Sequence, residues 1–381
     1  MTRTSRVFGT AGLMGALALS GCEPGQPHTL DNGAQNFGAV DKSEVTQVYG
    51  YTWDPEAMFY IVAMSCYEAQ VMPPACPLPP LSLPNEKAGK NSVLPGMAVA
   101  LFDPLNPPAP GSAPALQAAE LAGPQGNWYV KDVPSRSDVP YFAVAMPTPG
   151  APKLPTPDVT VPPAGAGYLP TMDLKPIVTT PTLCMGQPAS MLTDKGILDA
   201  VARFLTATGS STTVSDLLNP TKFGGVVVSW QMAAAGAGVH APASDTRLTS
   251  DLGRVLYIDW IPPPVTLPEP AKALRSARGF IIATKPPNPA NPSAPPELLD
   301  YSPLGISVVL LDPLKGPPPD LHLKLEDPNP KQAAGRPWTW PALPPMKVGP
   351  GMVSYLELNA NVDAGPLPPD WACIPGQGGG H

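Results

Sequence analysis

Residues 249–261 read TSDLGRVLYIDWI, and this stretch is the clearest indication of the fold class. Gly253 follows a polar TSD segment, where a glycine can supply the positive φ that lets one strand reverse into the next. The residues after Gly253 alternate in direction, which is typical of a β-strand with one face against a dry core. The stretch therefore predicts a turn followed by a half-buried strand.

Strands of the same kind flank this stretch, and a second set occurs earlier in the chain. Gly225–Trp230 (GVVVSW) precedes the turn and Gly279–Thr284 (GFIIAT) follows it. The earlier set has the same order of strand, turn with strand, and strand: Gly96–Asp103 (GMAVALFD), Leu121–Val133 (LAGPQGNWYVKDV) and Pro140–Met146 (PYFAVAM). Two copies of one β unit are therefore predicted.

The face on which each side chain lies follows from strict alternation. In the earlier set, Trp128, Val130 and Asp132 are predicted on one face, and Tyr129, Lys131 and Val133 on the other. Three further strands are predicted after the second copy. They are punctuated by proline, as edge strands often are: Leu304–Asp312, Leu321–Leu325 and Val353–Leu358.

The arrangement resembles the transthyretin-like, carboxypeptidase-regulatory-like β-sandwich modules, in which an apolar strand is followed by a T-D-x-x-G-x-Y-x-F turn and strand. In the second copy the matching residues are Thr249, Asp251, Gly253, Val255, Tyr257 and Asp259. The first copy has Gly126, Trp128 and Val130 but lacks the Thr-Asp pair. The resemblance implies a mainly β fold with two β-sandwich modules.

One amphipathic helix is predicted between the copies, over residues 194–208. Thr193 or Asp194 is the expected N-cap, and Gly209 ends the helix. Its apolar face is formed by Ile197, Leu198, Val201, Phe204 and Leu205. A second apolar run, Ala57–Tyr67 (AMFYIVAMSCY), is predicted as a buried strand or a short helix, because periodicity does not separate the two at this length.

The sequence divides into six predicted parts, with Pro-rich loops between the elements. They are a signal peptide (1–21), a flexible tether (22–44), a first β-sandwich module (45–152), a linker with the helix 194–208 (153–222), a second β-sandwich module (223–374) and a disordered tail (375–381).

Composition excludes several classes of protein. The 381 residues include 58 prolines and 35 glycines, which excludes a mostly helical chain because each interior proline costs a helix about 3 kcal/mol. Charged residues are 14% and hydrophobic residues 43%, unlike a highly charged disordered chain. The net charge is −7 and no basic stripe is present, so a nucleic-acid partner is not expected.

The N-terminus carries an export signal. Arg3 and Arg6 precede the apolar run Val7–Leu19, which is too short to span a bilayer as a permanent anchor. The run ends in Leu19-Ser20-Gly21-Cys22, which resembles the lipobox of bacterial lipoproteins. The resemblance implies cleavage between Gly21 and Cys22 and acylation of Cys22, with palmitate among the acyl groups. The alternative is an ordinary secretory signal with an accidental cysteine.

A lipid-anchored cell-envelope protein is therefore expected. Glu23 follows the cysteine where an aspartate would favour retention in the inner membrane of enteric bacteria, which favours an outer membrane lipoprotein on its periplasmic or cell-surface face. The expected partners are the membrane, through the acyl groups, and an unidentified envelope protein or polysaccharide.

Four further cysteines are expected to form disulfides, because the chain is exported to an oxidising compartment. Cys66–Cys76 would close a local loop and Cys184–Cys373 a long-range one. The alternatives are free or buried thiols and a zinc site. No two of them have the short spacing of a zinc knuckle, and histidine is scarce.

A search for catalytic motifs finds none, so no enzyme activity, cofactor or metal is expected. The four histidines, His28, His240, His322 and His381, show no metal-ligand spacing, and no G-x-S-x-G motif is present. The predicted role is therefore non-catalytic binding or a structural, scaffold or adhesion-type function. The alternatives are a secreted hydrolase, an accessory subunit of one, or a lipoprotein that carries an apolar ligand.

The strongest binding signal is aromatic. Trp338 and Trp340 lie between prolines, and alternation places both indoles on one face. Paired indoles can stack on sugars or fill a partner's pocket. The alternative is that they cover the open end of a sandwich core.

Overall fold

The computed structural model describes residues 45–68, 70, 93–105, 116–123, 126–148, 167–179, 184–234, 240–286, 296–317, 319–327, 340 and 342–360. The helices are α1 (Pro55–Glu68), α2 (Ile197–Ala207), α3 (Val214–Leu217) and α4 (Ala271–Leu274). The strands are β1 (Val45–Trp53), β2 (Ala98–Phe102), β3 (Leu116–Leu121), β4 (Asn127–Pro134), β5 (Arg136–Met146), β6 (Thr171–Asp173), β7 (Ile177–Thr179), β8 (Cys184–Ser190), β9 (Gly225–Ala234), β10 (His240–Pro242), β11 (Arg247–Ser250), β12 (Arg254–Trp260), β13 (Phe280–Ile282), β14 (Ile306–Leu311), β15 (Asp320–Leu321), β16 (Leu323–Glu326), β17 (Met346–Lys347) and β18 (Val353–Ala360).

A large sheet runs through most of the described chain. Its strand order is β13-β12-β14-β9-β18-β6-β5-β2-β3, with β10 paired to β9 and β7 paired to β5. β18 runs parallel to β9 and β6, whereas the other pairs in this sheet are antiparallel. The mainly β fold class is thereby confirmed.

Three smaller sheets complete the architecture of the described residues. In the order β4-β1-β8, β1 lies in the centre, antiparallel to β4 and parallel to β8. The other two are the pairs β11-β16 and β15-β17.

Hydrogen bonding crosses the predicted domain boundaries. β6, in the predicted linker, pairs with β5 from the predicted first module and with β18 from the predicted second one. The linker also contributes β7 and β8, which pair with β5 and β1. No strand was predicted in the linker, because these segments are short or lack alternation. The boundaries themselves remain predictions, and the signal peptide, tether and C-terminal tail lie outside the described residues.

Three large hydrophobic cores hold the layers of the described residues together. The first lies between α1, α2 and one face of the large sheet, and Phe59 of α1 is near its centre. The ring centroid of Phe59 lies 5.6 Å from that of Trp230, 5.7 Å from Trp260 and 5.5 Å from Phe280. The second packs β1, β4 and β8 against β2 and β5, with Trp128 buried in it. The third covers the opposite face of the large sheet.

The predicted strands of both copies are present. In the second copy, β9, β11 with β12, and β13 occupy the three predicted positions, and Gly253 at the turn has φ +71°. In the first copy, β2, β4 and β5 do so, and Gly126 has φ +74°. Gly126 and Gly253 thus occupy the left-handed region, as turn glycines were expected to.

The prediction that the proline-punctuated strands are edge strands is wrong for two of them. β14 lies between β12 and β9, and β18 lies between β9 and β6. All six residues of β14 are buried. The prolines lie outside the limits of β14 and β18, so they do not interrupt their hydrogen-bond ladders.

The predicted alternation in the first copy is wrong beyond Lys131. Val133 faces the same core as Trp128 and Val130 because a bulge intervenes: Thr46 pairs with Val133 but Val48 pairs with Val130. Asp132 supplies the extra residue, has φ +54° and is exposed. A β-bulge shifts the facing of every later side chain by one residue.

The ambiguous run Ala57–Tyr67 is helical, within α1. The helix predicted over residues 194–208 is also present but starts later, at Ile197. Neither predicted N-cap is used, since Gly196 occupies that position without a side-chain cap. The residue that takes over the capping comes from another part of the chain.

Candidate functional site

The junction of β1 and α1 carries two buried carboxylates. β1 ends at Trp53 and Pro55 begins α1, a position that suits proline because its missing N–H has no intrahelical partner there. Asp54 caps the helix, its Oδ1 accepting a hydrogen bond of 2.8 Å from the Ala57 N–H. Glu56 lies in the first turn. Both carboxylate side chains are fully buried.

Glu56 caps the second helix across the core. Its Oε1 accepts a 2.6 Å hydrogen bond from the Ile197 N–H, the first residue of α2. Its Oε2 accepts from the Thr193 N–H at 3.1 Å and from the Thr193 hydroxyl at 2.8 Å. A carboxylate is favoured here by the unpaired N–H groups and the positive end of the helix dipole.

Arg278, in the turn before β13, neutralises part of this negative charge. Its Nη2 lies 2.8 Å from Asp54 Oδ2, and its Nη1 donates to Asp54 Oδ1 at 3.0 Å and to Glu56 Oε2 at 3.2 Å. The Arg278 side chain is 0% exposed. The Tyr168 hydroxyl donates to Asp54 Oδ2 at 3.1 Å. We call Asp54, Glu56 and Arg278 the ion cluster.

Burial controls protonation in the ion cluster. Burial raises the pKa of Glu56 to about 7, although Arg278 lowers it, and the Asp54 charge raises it further. Burial disfavours the charged guanidinium, but the two carboxylates outweigh this, so the pKa of Arg278 is raised. Burial, followed by the Asp54 charge, raises the pKa of Tyr168 well above its usual value.

Because the ion cluster is fully enclosed, its role is to stabilise the fold. Its three side chains hold the end of β1, the start of α2 and the turn before β13 at one point. Gly196 is part of this arrangement, because a Cβ at this position would lie 2.1 Å from both carboxylate oxygens of Glu56. None of the three charged side chains is exposed to a substrate.

A further buried carboxylate, that of Asp173, lies on β6. Asp173 Oδ2 accepts from the Ser190 N–H at 2.6 Å, and Oδ1 accepts from the Ser190 hydroxyl at 3.2 Å. The Trp53 indole N–H donates to Ser190 Oγ at 2.9 Å. Burial raises the pKa of Asp173 to about 7. This network joins β1, β6 and β8.

An exposed Asp–His pair is the arrangement most similar to a catalytic one. His322 Nδ1 lies 2.7 Å from Asp251 Oδ2, and the His322 N–H donates to Asp251 Oδ1 at 2.9 Å. These hydrogen bonds, the backbone one first, lower the pKa of Asp251. The aspartate can orient the ring for proton transfer at Nε2. The side chains are 58% and 45% exposed, and no hydroxyl among the described residues hydrogen-bonds Nε2.

The structure places one of the two predicted binding tryptophans. Trp340 is half-buried and packs against Ala243 and Ala360 and against the third core. Its indole N–H has no hydrogen-bond partner among the described residues. Trp338 lies outside those residues, so the shared face of the two indoles remains a prediction.

The predicted cysteine sites are described in part. Cys66 is buried near the end of α1, and Cys184 begins β8. Cys76 and Cys373 lie outside the described residues, so both pairings remain predictions. Gly21 and Cys22, the predicted cleavage and lipidation positions, lie outside them as well.

The ion cluster was missed by the sequence analysis, although part of its signal is present. Asp54-Pro55-Glu56 directly before an apolar run combines an N-cap residue, a first-turn proline and a first-turn acid, which together predict a helix start. Arg278 has no such signal, because its partners are more than 220 residues away in the chain.

Within the described residues, no helix is both long and apolar enough to cross a bilayer. Across the same part of the chain, no three His, Cys, Asp or Glu side chains come together in a group able to hold a metal ion.

Comparison with known proteins identifies no family. No family model and no curated protein matches the chain. Among solved structures, it is similar to GBS52, the minor pilin of Streptococcus agalactiae, at 9% identity over 85% of this chain and 99% of that one, with a TM-score of 0.19. It is also similar to a streptococcal ancillary pilin, at 10% identity over 83% of this chain and 62% of that one, with a TM-score of 0.18. TM-scores this low carry no functional argument.

Proposed function

We propose that this chain is a lipid-anchored cell-envelope protein with a non-catalytic binding or structural role. The observation that carries the proposal is the sequence Leu19-Ser20-Gly21-Cys22 after a short apolar run. Cleavage before Cys22 and its acylation would attach the body to a membrane through the tether of residues 22–44. Glu23 supports an outer-membrane destination.

The arrangement of the charged side chains supports a non-catalytic role. Catalytic acids and bases need a perturbed pKa together with access to substrate. Glu56 and Asp173 have raised pKa values, but both are buried and bonded to backbone N–H groups of neighbouring elements. The raised pKa values of these two carboxyl groups follow from their burial in hydrogen-bonded networks that connect structural elements, as is common for buried networks.

The anchoring is tested by metabolic labelling with a fatty-acid analogue in cells that express the full chain. We expect the wild-type protein and Ser20→Ala to be labelled and to sediment with membranes, because Ser20→Ala keeps a small residue beside the cleavage position. Cys22→Ser removes the acylated thiol and is expected to lose the label. Unlabelled wild-type protein, or label that persists in Cys22→Ser, would contradict the proposal.

The binding role is tested by cross-linking in intact envelopes, followed by purification of the protein. We propose an envelope protein or polysaccharide as the partner, in contact with Trp338 and Trp340. The double variant Trp338→Ala/Trp340→Ala should then lose the partner. Trp338→Ala with Trp340→Phe should keep part of it, because an aromatic ring at the second position preserves the packing against the third core. The same partners in wild type and in the double alanine variant would exclude the indoles as the contact.

The second candidate, a secreted hydrolase, has one observation in its favour, the contact between Asp251 and His322. An oriented imidazole is the base of many hydrolytic sites. If this pair is catalytic, purified protein hydrolyses ester, peptide or glycoside reporters and His322→Gln abolishes the activity. Equal rates in wild type and His322→Gln would remove the pair from consideration.

A further inference from the structure

The anchored end of the chain enters the body through β1. If the protein is held at Cys22, any force between the membrane and the body reaches the described structure at Val45. β1 lies between β4 and β8, with the β4 ladder starting at Val45 and the β8 ladder ending at Trp53. Pulling β1 out therefore breaks two ladders, whereas an edge strand would break one.

The far end of β1 makes several hydrogen bonds in addition to its ladders. The Thr52 N–H donates to Gly126 O at 2.7 Å, and the Thr52 hydroxyl donates to Leu94 O. The Met191 N–H donates to Trp53 O at 2.9 Å. The next residue, Asp54, belongs to the ion cluster. The chain therefore passes from a hydrogen-bonded strand directly into a buried ionic contact.

Extracting the ion cluster carries a large barrier. Asp54 and Glu56 must leave Arg278, and Glu56 must also leave the N–H groups of Thr193 and Ile197. Removing one partner of a buried pair leaves an uncompensated charge in a low-dielectric interior, which is strongly unfavourable. The ion cluster follows directly after β1, the strand that would bear the load. The barrier to its extraction would therefore resist unfolding under force.

We propose that the ion cluster is a mechanical stop, which keeps the body folded when force acts between the membrane anchor and a bound partner. This inference rests on the anchoring proposed above. It assigns the chain a load-bearing role within the envelope. Unravelling from the anchored end would release β1, a strand of nine residues, and then halt at Asp54. The released strand corresponds to about 30 Å of extended chain.

Single-molecule force measurements on the mature chain test the proposal. The chain carries Cys22→Ser, so it is not acylated, and has a handle at each terminus. At constant load, we expect the neutral variant Asp54→Asn/Glu56→Gln/Arg278→Met to unfold at least about tenfold faster than wild type. The matched control is Arg247→Met, which removes a partly exposed arginine paired with Asp300 and should leave the rate unchanged.

A second pulling geometry separates a mechanical stop from general destabilisation. With the handles at Gly316, an exposed loop position, and at the C-terminus, the load does not pass through β1. In that geometry the neutral variant should unfold at the wild-type rate. An equal acceleration in both geometries, or less than about a twofold effect on the N-terminal pull, would overturn the proposal.

A milder variant covers the case in which the neutral variant does not fold. Glu56→Gln then replaces it, because a glutamine oxygen still accepts from the Ile197 N–H while the amide nitrogen cannot accept from Arg278 Nη1. The same two criteria apply. Because the measurement uses chains without acyl groups, its failure leaves the anchoring untouched, and failure of fatty-acid labelling leaves the mechanical measurement valid.

Discussion

Glu56 links elements that are far apart in the sequence, and its carboxylate leaves no room for a side chain at Gly196. The carboxylate takes the place of an N-cap side chain for α2, accepting from the Ile197 N–H at 2.6 Å. The backbone of Gly196 approaches so closely that a Cβ would lie 2.1 Å from both carboxylate oxygens. The glycine is therefore needed for close approach.

Gly196→Ala should destabilise the protein strongly. The added methyl group would displace Glu56 from the start of α2 and from Arg278, so we expect a loss of more than about 2 kcal/mol in the free energy of unfolding. Urea denaturation measures it. Gly316→Ala is the control, since no atom of the described residues lies within 4 Å of its Cβ position, and it should be neutral. Equal stability of the two variants would contradict the contact.

The raised pKa values of Asp173 and Glu56 predict that stability falls as pH rises. Asp173 has a pKa of about 7 in the folded chain against 3.8 when unperturbed, so between these values the folded chain keeps a proton that the unfolded chain has lost. The unfolded state then binds fewer protons, and raising the pH favours unfolding. Each such group contributes at most about 1.4 kcal/mol per pH unit. Glu56, whose pKa is also raised to about 7, acts in the same direction.

Asp173→Asn should reduce this slope between pH 4.5 and 7. Its amide oxygen can still accept from the Ser190 N–H, whereas its NH2 group can only donate to Ser190 Oγ. Urea titrations at several pH values measure the slope. Asp251→Asn is the matched control, because the pKa of Asp251 is lowered in the folded chain. The stability that its charge contributes is therefore lost only when the pH falls below the pKa of this aspartate in the unfolded state. A slope that Asp173→Asn leaves unchanged would show that Asp173 is ionised throughout this range.

Among the elements, those governed by local sequence are the ones that were predicted. The turn glycines Gly126 and Gly253, and the strands after them, follow from backbone freedom and alternation, and both are present. The helix α2 was predicted from its apolar period. Its start was misplaced because the cap is Glu56, which is 141 residues away in the chain. A contact between residues so far apart in the chain produces no recognisable pattern in a single sequence.

β4 shows the same limit within a single strand. Alternation predicted opposite faces for Trp128 and Val133, and the bulge at Asp132 places both in one core. A bulge depends on the register with β1, so the residues of β4 alone do not determine it. The predicted binding face of Trp338 and Trp340 rests on the same assumption of unbroken alternation.

The bulge predicts that position 132 tolerates aspartate and asparagine but not a β-branched residue. Asp132 has φ +54°, which aspartate and asparagine tolerate and β-branched residues do not. Asp132→Val should therefore lower the free energy of unfolding by more than about 1 kcal/mol, although the side chain is exposed and valine favours strands. Asp132→Asn should be neutral. A neutral or stabilising Asp132→Val, measured by urea denaturation, would show that the residue is not in the left-handed region.

The two predicted modules are joined to each other by a common sheet and by the ion cluster. β6 joins β5 to β18 in one sheet, and the ion cluster joins β1 and α1 to the turn before β13. The strands of the two predicted copies could be predicted because each follows from local sequence. The shared sheet could not, because parallel pairing of β18 with β9 and β6 brings together segments separated by more than 100 residues.

This sharing predicts that the described part of the chain unfolds as one cooperative unit. Leu101→Ala creates a cavity in the second core, within the predicted first module, and should cost about 2–5 kcal/mol. If the unit is cooperative, the opening free energy measured by hydrogen exchange of β12 and β14 amides falls by the same amount. The reason is that those strands exchange through the same global opening. Leu310→Ala, in the first core, should reciprocally accelerate exchange in β2 and β5. Independent modules would instead confine each effect to its own strands.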